Sequence, residues 1–176
     1  MSKVHGFEYI VARPHNVYGP RQNMCDPYRN VVTIWMNSIL RNEPYVIYGD
    51  GEQKRCFSYI NDVVSALQKC SVTKISNTIY NIGSDTYYTL NDLHTALHMV
   101  VERSIKKPQY LPLRPQEVIN AIADHTQAIN FLGYEDVTPL LDGLRKTWVY
   151  CKKQGKQDPI YTNIEINSDK LPKNWV

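Results

Sequence analysis

The chain has 176 residues, of which 43% are hydrophobic and 21% are charged, and its formal net charge is +3. This length allows one hydrophobic core, and the composition is ordinary for a soluble globular protein. The small, scattered positive charge does not support nucleic-acid binding. No charged-then-apolar leader and no apolar run near 18 residues stands in the sequence, so neither secretion nor membrane insertion is expected.

Predicted strands and helices alternate along the chain, which indicates the α/β class. The predicted strands span 7–12, 45–48, 56–59, 78–82 and 109–113. The predicted helices span 30–41, 60–70 and 89–102, with a short helix after Asp124 that ends at Gly133 and a last helix that opens at Pro139. From residue 152 onward the chain is polar and interrupted by proline, which indicates a loosely docked tail.

Local signals mark several of these helix ends. Asn30 is a plausible N-cap for the helix that ends at Arg41, and Thr89 opens a capping-box pattern. Asp124 is predicted to cap the short helix, whose Gly133 ends it in a left-handed conformation. Pro139 is expected at the first position of the last helix.

The run 7–12 is apolar at nearly every position and predicts a central parallel strand buried on both faces. A central strand needs two neighbours, which the chain does not visibly supply. The loop that follows carries Asn16, Tyr18 and Arg21, an amide, a phenol and a guanidinium. In open α/β sheets, ligands bind at the carboxyl ends of the strands, so this loop is a candidate binding site.

The four cysteines, Cys25, Cys56, Cys70 and Cys151, lie far apart and have no zinc-site spacing. Free thiols in a reducing cytosol are therefore expected, and with them a cytoplasmic location. His94 and His98 stand four residues apart, but no third ligand accompanies them, so a solvated helix face is favoured over a metal site.

Three ordered blocks of sequence carry a family resemblance. Residues 13–20 read R-P-H-N-V-Y-G-P, residues 47–64 read I-Y-G-D-G-E-Q-K-R-C-F-S-Y-I-N-D-V-V, and residues 113–118 read L-R-P-Q-E-V. Together they resemble the extended short-chain dehydrogenase family of NAD-dependent nucleotide-sugar epimerases and dehydratases. Two positions depart from the family pattern: Cys56 stands where Asp or Ala is commoner, and Gln116 stands where Gly is usual.

The resemblance implies a role for each matching residue. Tyr48 would lie near the nucleotide base, Arg55 and Arg114 would clamp the diphosphate, and Glu117 would accept from a ribose hydroxyl. Further contacts to the nucleotide sugar are implied for Asn16, Asn30 and Val31, and contacts to NAD for Pro14 and His15. A planar guanidinium suits the clamp because it makes bidentate, charge-assisted bonds to phosphate oxygens.

The family's catalytic elements do not match this sequence. None of the 13 tyrosines has a lysine four residues later, and Gly49 and Gly51 form the only close glycine pair. No catalytic residue is therefore assigned, and no glycine-rich cradle for the cofactor's pyrophosphate is found. We expect a C-terminal portion of a Rossmann-type enzyme, with the last sheet strands and a small α/β substrate-binding domain. The expected division is a Rossmann remnant over 1–22, a mainly nucleotide-sugar-binding domain over 23–153 and a polar tail over 154–176.

The function implied by the resemblance is that of the UDP-sugar-binding portion of a UDP-glucose 4-epimerase-like enzyme, in which NAD takes and returns a hydride at C4. The expected ligand is a UDP-sugar or another nucleoside diphosphate sugar, and turnover would need a complementing N-terminal half. A 4,6-dehydratase or decarboxylase portion stays open as an alternative, because this chain does not encode the deciding groups. A remnant that binds nucleotide sugar without catalysis stays open as well.

Overall fold

The computed structural model describes residues 2–26 and 30–160. Its helices are α1 (Ser2–His5), α2 (Val31–Arg41), α3 (Ile60–Val72), α4 (Leu90–Val100), α5 (Thr126–Leu132) and α6 (Leu140–Gln154). Its strands are β1 (Ile10–Pro14), β2 (Val17–Tyr18), β3 (Val46–Tyr48), β4 (Lys54–Cys56), β5 (Ser58–Tyr59), β6 (Thr78–Ile82), β7 (Tyr87–Thr89), β8 (Gln109–Leu111) and β9 (Asn120–Ala121). The α/β class predicted from the sequence is confirmed.

The described strands form small and mostly parallel sheets. Strand β1 pairs with β6, β2 with β5 and β3 with β8, each in parallel. The remaining sheet has the order β7–β4–β9, with β4 antiparallel to β7 and parallel to β9. Most of the pairings therefore join strands that are far apart in sequence, which is the arrangement expected when helices connect parallel strands.

The first strand differs from the sequence prediction. It begins at Ile10 rather than at Phe7, and among the described residues it pairs with β6 alone. Val11 and its partner Ile79 are 39% and 40% exposed, so one face of this two-stranded sheet is open. The prediction of a strand buried on both faces was wrong, because continuous apolar character identifies a strand but not what covers it.

The larger hydrophobic core lies where α2, α4 and α6 pack together. Its largest fully buried side chains include Trp35 and Met36 of α2, Leu93 and Leu97 of α4 and Leu144 of α6. A smaller core lies between the β1–β6 sheet and helices α3 and α5, and it contains Val63, Tyr80, Ile82, Ala128 and Leu132. Amphipathic helices of this kind gain most of their stability from burying such faces.

Helix ends were predicted with mixed success. Thr89 forms the predicted capping box with Asp92, and Gly133 ends α5 in the left-handed conformation. Asn30 precedes α2 but is itself left-handed and makes no side-chain cap. Asp124 caps α5 as predicted, because its Oδ1 accepts from the Thr126 N–H at 2.8 Å, whereas His125 at the N-cap position makes no side-chain cap. The prediction for Pro139 was off by one residue, because Pro139 precedes α6 instead of opening it.

The segment after α6 packs against α2. The side-chain amide of Asn37 donates to the Gln157 carbonyl at 2.9 Å and accepts from the Gln157 backbone N–H at 2.9 Å. Arg41 also pairs with Asp158 at 2.5 Å. The prediction of a loosely docked tail from residue 152 was wrong in the described part, because α6 continues to Gln154 and residues 155–160 are held by specific contacts. Residues 161–176 lie outside the described residues. No helix in the described part of the chain is long and apolar enough to cross a membrane.

A buried carboxylate joins α3 to the start of α6. Asp62 is 6% exposed, and its two oxygens accept from the backbone N–H and the hydroxyl of Thr138, both at 3.0 Å. Asp62 also stands in the first turn of α3, where the helix dipole favours a negative charge. One side chain therefore stabilises two helix beginnings.

Replacing Asp62 with alanine is expected to lower the free energy of unfolding by about 1–3 kcal/mol, because the Thr138 N–H loses its acceptor. Chemical denaturation followed by circular dichroism measures this change. Asp142→Ala is the matched control: Asp142 is an exposed acid paired with Arg145, and its loss should cost less than about 0.5 kcal/mol. Equal effects of the two substitutions would contradict the role given to Asp62.

Candidate functional site

Two arginines share one carboxylate at the centre of the site. Glu117 accepts from Arg55 Nη2 at 2.6 Å through Oε1, and from Arg114 Nη2 and Nε at 2.6 and 2.7 Å through Oε2. The Glu117 side chain is only 9% exposed, whereas those of Arg55 and Arg114 are 15% and 35% exposed. The cluster holds two guanidinium groups side by side and carries a net charge of one positive unit.

Short strands and one tight turn bring these side chains together. Arg55 lies in β4, which pairs with β9 so that Arg55 faces Ala121. The turn from Arg114 to Glu117 is closed by a hydrogen bond from the Glu117 N–H to the Arg114 carbonyl at 3.2 Å. Gln116 within it has a φ of 60°, so it adopts the left-handed conformation that the usual glycine would adopt. The departure at Gln116 therefore leaves Glu117 next to both arginines.

The Arg114 guanidinium also covers an aromatic ring. Its central carbon lies 4.6 Å from the centre of the Tyr48 ring, a distance at which the ring's electron-rich face attracts a cation. Tyr48 ends β3 and is followed by the turn at Gly49 and Gly51, both with positive φ. Asp50 accepts from the Glu52 N–H at 3.0 Å and so stabilises this turn.

A cavity of about 570 Å³ extends from this cluster along α2. All seven residues that the sequence assigned to the nucleotide sugar line it: Asn16, Asn30, Val31, Tyr48, Arg55, Arg114 and Glu117. Apolar side chains, among them Trp35 and Phe57, form other parts of its wall. The structure thus brings together residues that are up to about 100 positions apart in the sequence, counted from Asn16 to Glu117.

The N-terminus of α2 contributes to one side of the cavity. Asn30 has φ 65° and ψ 84°, and its carbonyl accepts from the Thr33 and Ile34 N–H groups at 3.1 and 3.3 Å. Asn30 and Val31 both line the cavity, so the positive end of the helix dipole lies beside it. A helix N-terminus of this kind, next to two guanidinium groups, favours an anionic ligand.

Asn16 enters the cavity from the loop after β1. It is left-handed with a φ of 45°, and its carbonyl accepts from the Ser58 N–H at 3.2 Å. Nearby Tyr18 is 2% exposed, donates its hydroxyl proton to the Leu140 carbonyl at 3.3 Å and has its pKa raised by burial. Tyr18 also lines the cavity, but its burial and its bond to Leu140 make it a packing residue.

The two residues assigned to NAD lie apart from the cavity lining. Pro14 ends β1 and is exposed, and the His15 ring stacks on His125 with ring centres 4.8 Å apart. The ring lies so close to Gly83 that a Cβ there would stand 2.5 Å from His15 Cε1. Burial, and then the neighbouring His125, lower the pKa of His15, whereas Asp85 opposes them.

Two further groups considered in the sequence are Cys56 and His94. Cys56 is fully buried, and burial raises the pKa of its thiol, so it suits packing rather than nucleophilic attack. His94 is half-buried and hydrogen-bonds the Tyr45 hydroxyl, so the predicted solvated helix face is wrong at this residue. No group of three or more metal-ligating side chains occurs in the part of the chain that the structure describes. Sequence reasoning missed Gln53, a buried cavity residue that occupies an unspecified position of the second motif.

Comparison with known proteins finds a matching family model and similar relatives. Residues 1–83 match the NAD dependent epimerase/dehydratase family. UDP-glucuronic acid decarboxylase 1 of Danio rerio is 32% identical over 152 residues, which are 86% of this chain and 35% of that protein. UDP-glucose 4-epimerase of Mycolicibacterium smegmatis is 31% identical over 145 residues, which are 81% of this chain and 45% of that protein.

The fold of this chain is also similar to that of a solved structure. The crystal structure of UDP-glucose 4-epimerase from Thermotoga maritima with UDP-glucose matches with a TM-score of 0.78 and 37% identity, covering 87% of this chain and 48% of that one. The resemblance to the extended short-chain dehydrogenases is confirmed, and this chain spans between about a third and a half of the length of these relatives.

Replacing Gln116 with glycine is expected to raise the free energy of unfolding by about 0.5–1 kcal/mol. A left-handed conformation costs a residue with a Cβ about 1–2 kcal/mol, of which the greater freedom of glycine in the unfolded chain takes back part. Thermal or chemical denaturation measures the gain. Gln116→Ala is the matched control, because alanine keeps the Cβ and should give no gain; a gain from both substitutions would contradict the argument.

The depressed pKa of His15 predicts a loss of stability in acid. The unfolded chain binds a proton at His15 near its ordinary value of 6.5, and the folded chain binds it only at lower pH. The stability that this residue contributes is therefore present above pH 6.5 and is lost as the pH falls toward the folded value.

His15→Phe, which keeps a ring against His125 but does not titrate, should make the loss of stability below pH 6.5 shallower. Denaturation midpoints measured across the pH series test this. His5→Phe, in the exposed helix α1, should leave the pH dependence as it is in the wild type. An unchanged slope in the His15 variant would show that other groups control the acid sensitivity.

Proposed function

We propose that this chain, as part of a protein of the NAD dependent epimerase/dehydratase family, binds a nucleoside diphosphate sugar, and a UDP-sugar in particular, in the cavity along α2. The observation that carries the proposal is the pair of guanidinium groups that Glu117 holds side by side in the cavity wall. Two adjacent guanidinium groups suit the charge of a diphosphate, because guanidinium N–H groups make charge-assisted bonds to phosphate oxygens.

The surrounding residues fit the other parts of such a ligand. Tyr48 offers an aromatic face to the base, and the N-terminus of α2 at Asn30 and Val31 supports the phosphates. Asn16 offers an amide to the sugar, and Glu117 offers its carboxylate to a ribose hydroxyl. The relative from Thermotoga maritima, solved with UDP-glucose, supports a UDP-sugar as the ligand.

For the reaction of the whole protein, we put UDP-glucose 4-epimerase-like chemistry first. UDP-glucuronic acid decarboxylase chemistry is the second candidate, because a decarboxylase from Danio rerio matches over 86% of this chain. Incubation of the whole protein and NAD with UDP-glucuronic acid and, separately, with UDP-glucose distinguishes these candidates, since a decarboxylase releases carbon dioxide from the first and an epimerase converts the second without a change of mass. A protein that binds the nucleotide sugar without turnover is the third candidate, and it would give neither product.

NAD supplies the hydride chemistry in this family, and the residues of this chain fit only a small part of it. No Tyr in the sequence has the partner lysine, and no glycine-rich turn is present for the pyrophosphate. We infer that this chain contacts NAD through Pro14 and His15. Turnover would then need a catalytic base and a pyrophosphate cradle contributed by residues other than these 176.

Removing either arginine is expected to weaken UDP binding. Loss of one charge-assisted clamp should cost about 1.5–3 kcal/mol, which is roughly 10- to 150-fold in the dissociation constant. Isothermal titration of UDP into the wild type, Arg55→Ala and Arg114→Ala measures this, with NAD titrated in parallel. NAD should bind at least tenfold more weakly than UDP, about 1.4 kcal/mol or more.

Arg145→Ala is the matched control, since Arg145 is an exposed arginine that pairs only with Asp142 among the described contacts. It should leave the affinity for UDP unchanged. Unchanged affinity in both cavity variants would reject the assigned clamp, and absence of UDP binding by the folded wild type would reject the proposed function.

A further inference from the structure

Gln53 is a buried polar residue whose hydrogen bonding is half complete. Its side chain lines the cavity, and the residue is only 4% exposed. The side-chain nitrogen, Nε2, donates to the Tyr48 carbonyl at 2.9 Å. The side-chain oxygen, Oε1, is buried and has no hydrogen-bond partner among the described residues.

The orientation of this amide is fixed by chemistry. A backbone carbonyl only accepts hydrogen bonds, so the nitrogen of the amide must be the atom that faces Tyr48. The free atom is therefore the oxygen, which is an acceptor and cannot donate. A buried acceptor without a partner is unfavourable, and nearly all such groups in folded proteins are satisfied. A ligand that brings a donor to this oxygen would remove that cost.

The position of Gln53 indicates which part of a ligand it would meet. It stands two residues before Arg55, and its amide is bonded to Tyr48. In the complex proposed above, Tyr48 packs on the base and Arg55 holds the diphosphate. The ribose lies between those two parts of the ligand, and the base and ribose together, which form the nucleoside, carry neutral N–H and O–H donors on this side of the diphosphate.

We propose that Gln53 is a specificity-determining residue, whose Oε1 accepts a hydrogen bond from a donor group of the nucleoside. This inference rests on the nucleotide-sugar binding proposed above. Two sources share the required chemistry: the N–H donors on the edge of the base and the hydroxyl groups of the ribose. Either source would make the cavity discriminate between nucleotides that present the same diphosphate.

The chain contains a matched control for this residue. Gln22 also donates through Nε2 to a backbone carbonyl, that of Val17, at 2.9 Å, and its Oε1 is also buried without a partner among the described residues. Gln22 does not belong to the described lining of the cavity. Replacing either glutamine with methionine keeps an unbranched side chain of similar size and removes the amide. The structural cost should therefore be similar at the two positions, and only Gln53→Met should alter ligand preference.

The experiment is a titration of the wild type, Gln53→Met and Gln22→Met with UDP, CDP, 2′-deoxy-UDP and 3′-deoxy-UDP. CDP changes the donor pattern of the base, and the two deoxy compounds each remove one hydroxyl. The readout is the ratio of each analogue's dissociation constant to that of UDP within one protein. A merely structural effect of a substitution weakens all four ligands alike and leaves these ratios unchanged.

In the wild type, at least one ratio should differ from unity by roughly 5- to 150-fold, the range expected when a buried acceptor is left unpaired. In Gln53→Met that ratio should collapse toward unity, and in Gln22→Met it should keep its wild-type value. A change in the CDP ratio assigns the donor to the base, and a change in a deoxy ratio assigns it to the ribose. UDP binding with every ratio unchanged in Gln53→Met would overturn this inference alone, whereas a wild type that binds no UDP would overturn the proposed function as well.

Discussion

The site depends on the pairing of the Glu117 carboxylate with two arginines, Arg55 and Arg114. Two guanidinium groups repel each other when they are held side by side, and a shared anion between them removes that repulsion. Each oxygen of Glu117 accepts from a different arginine, so Arg55 and Arg114 are fixed in place before any ligand arrives. Such preorganisation lowers the side-chain entropy that binding would otherwise cost.

The scaffold around this cluster serves to bring distant segments to one place. Arg55 and Glu117 are 62 residues apart, and the pairing of β4 with β9 joins the segments that carry them. Helix α2, about 16 Å long from its 11 residues, forms another part of the cavity wall and is packed against α6 in the larger core. The contact of Asp62 with Thr138 then fixes the start of α6 to α3.

Local sequence signals predicted the parts of this structure that local interactions decide. The capping box at Thr89, the left-handed Gly133 and the strand Thr78–Ile82 follow from a few adjacent residues, and the structure has all three. The exposure of Val11 could not be predicted in the same way, because it depends on what packs against a sheet. Strand β9 has only two residues, whose sequence does not indicate a strand, and its backbone is extended because it pairs with β4.

The site, too, has features that the sequence predicts and features that depend on how distant residues pack. Five of its residues were found because they lie in three motifs that resemble a family, and Asn30 and Val31 because they stand where the family's substrate-side helix would begin. The structure places all seven residues around one cavity. The bridging role of Glu117 could not be found from the motif, since it depends on Arg55 and Arg114 reaching the same carboxylate. Gln53 was missed for a related reason: its importance comes from burial and from an unpaired oxygen, and neither property can be seen in a sequence.

The position of Glu117 also bears on the kind of anion that the site would prefer. A bare diphosphate would compete with Glu117 for both arginines and would bring no donor to the carboxylate that it displaced. A nucleoside diphosphate brings phosphate oxygens for the guanidinium groups and ribose hydroxyls for the carboxylate, so all three side chains of the cluster stay paired in the proposed complex. Leaving the buried Glu117 carboxylate without a donor costs more free energy than the new arginine–phosphate bonds return. The cluster should therefore discriminate against inorganic diphosphate more strongly than two arginines without Glu117 would. In the proposed complex, the acidic residue that makes the site less positive would thus also be the one that makes it selective.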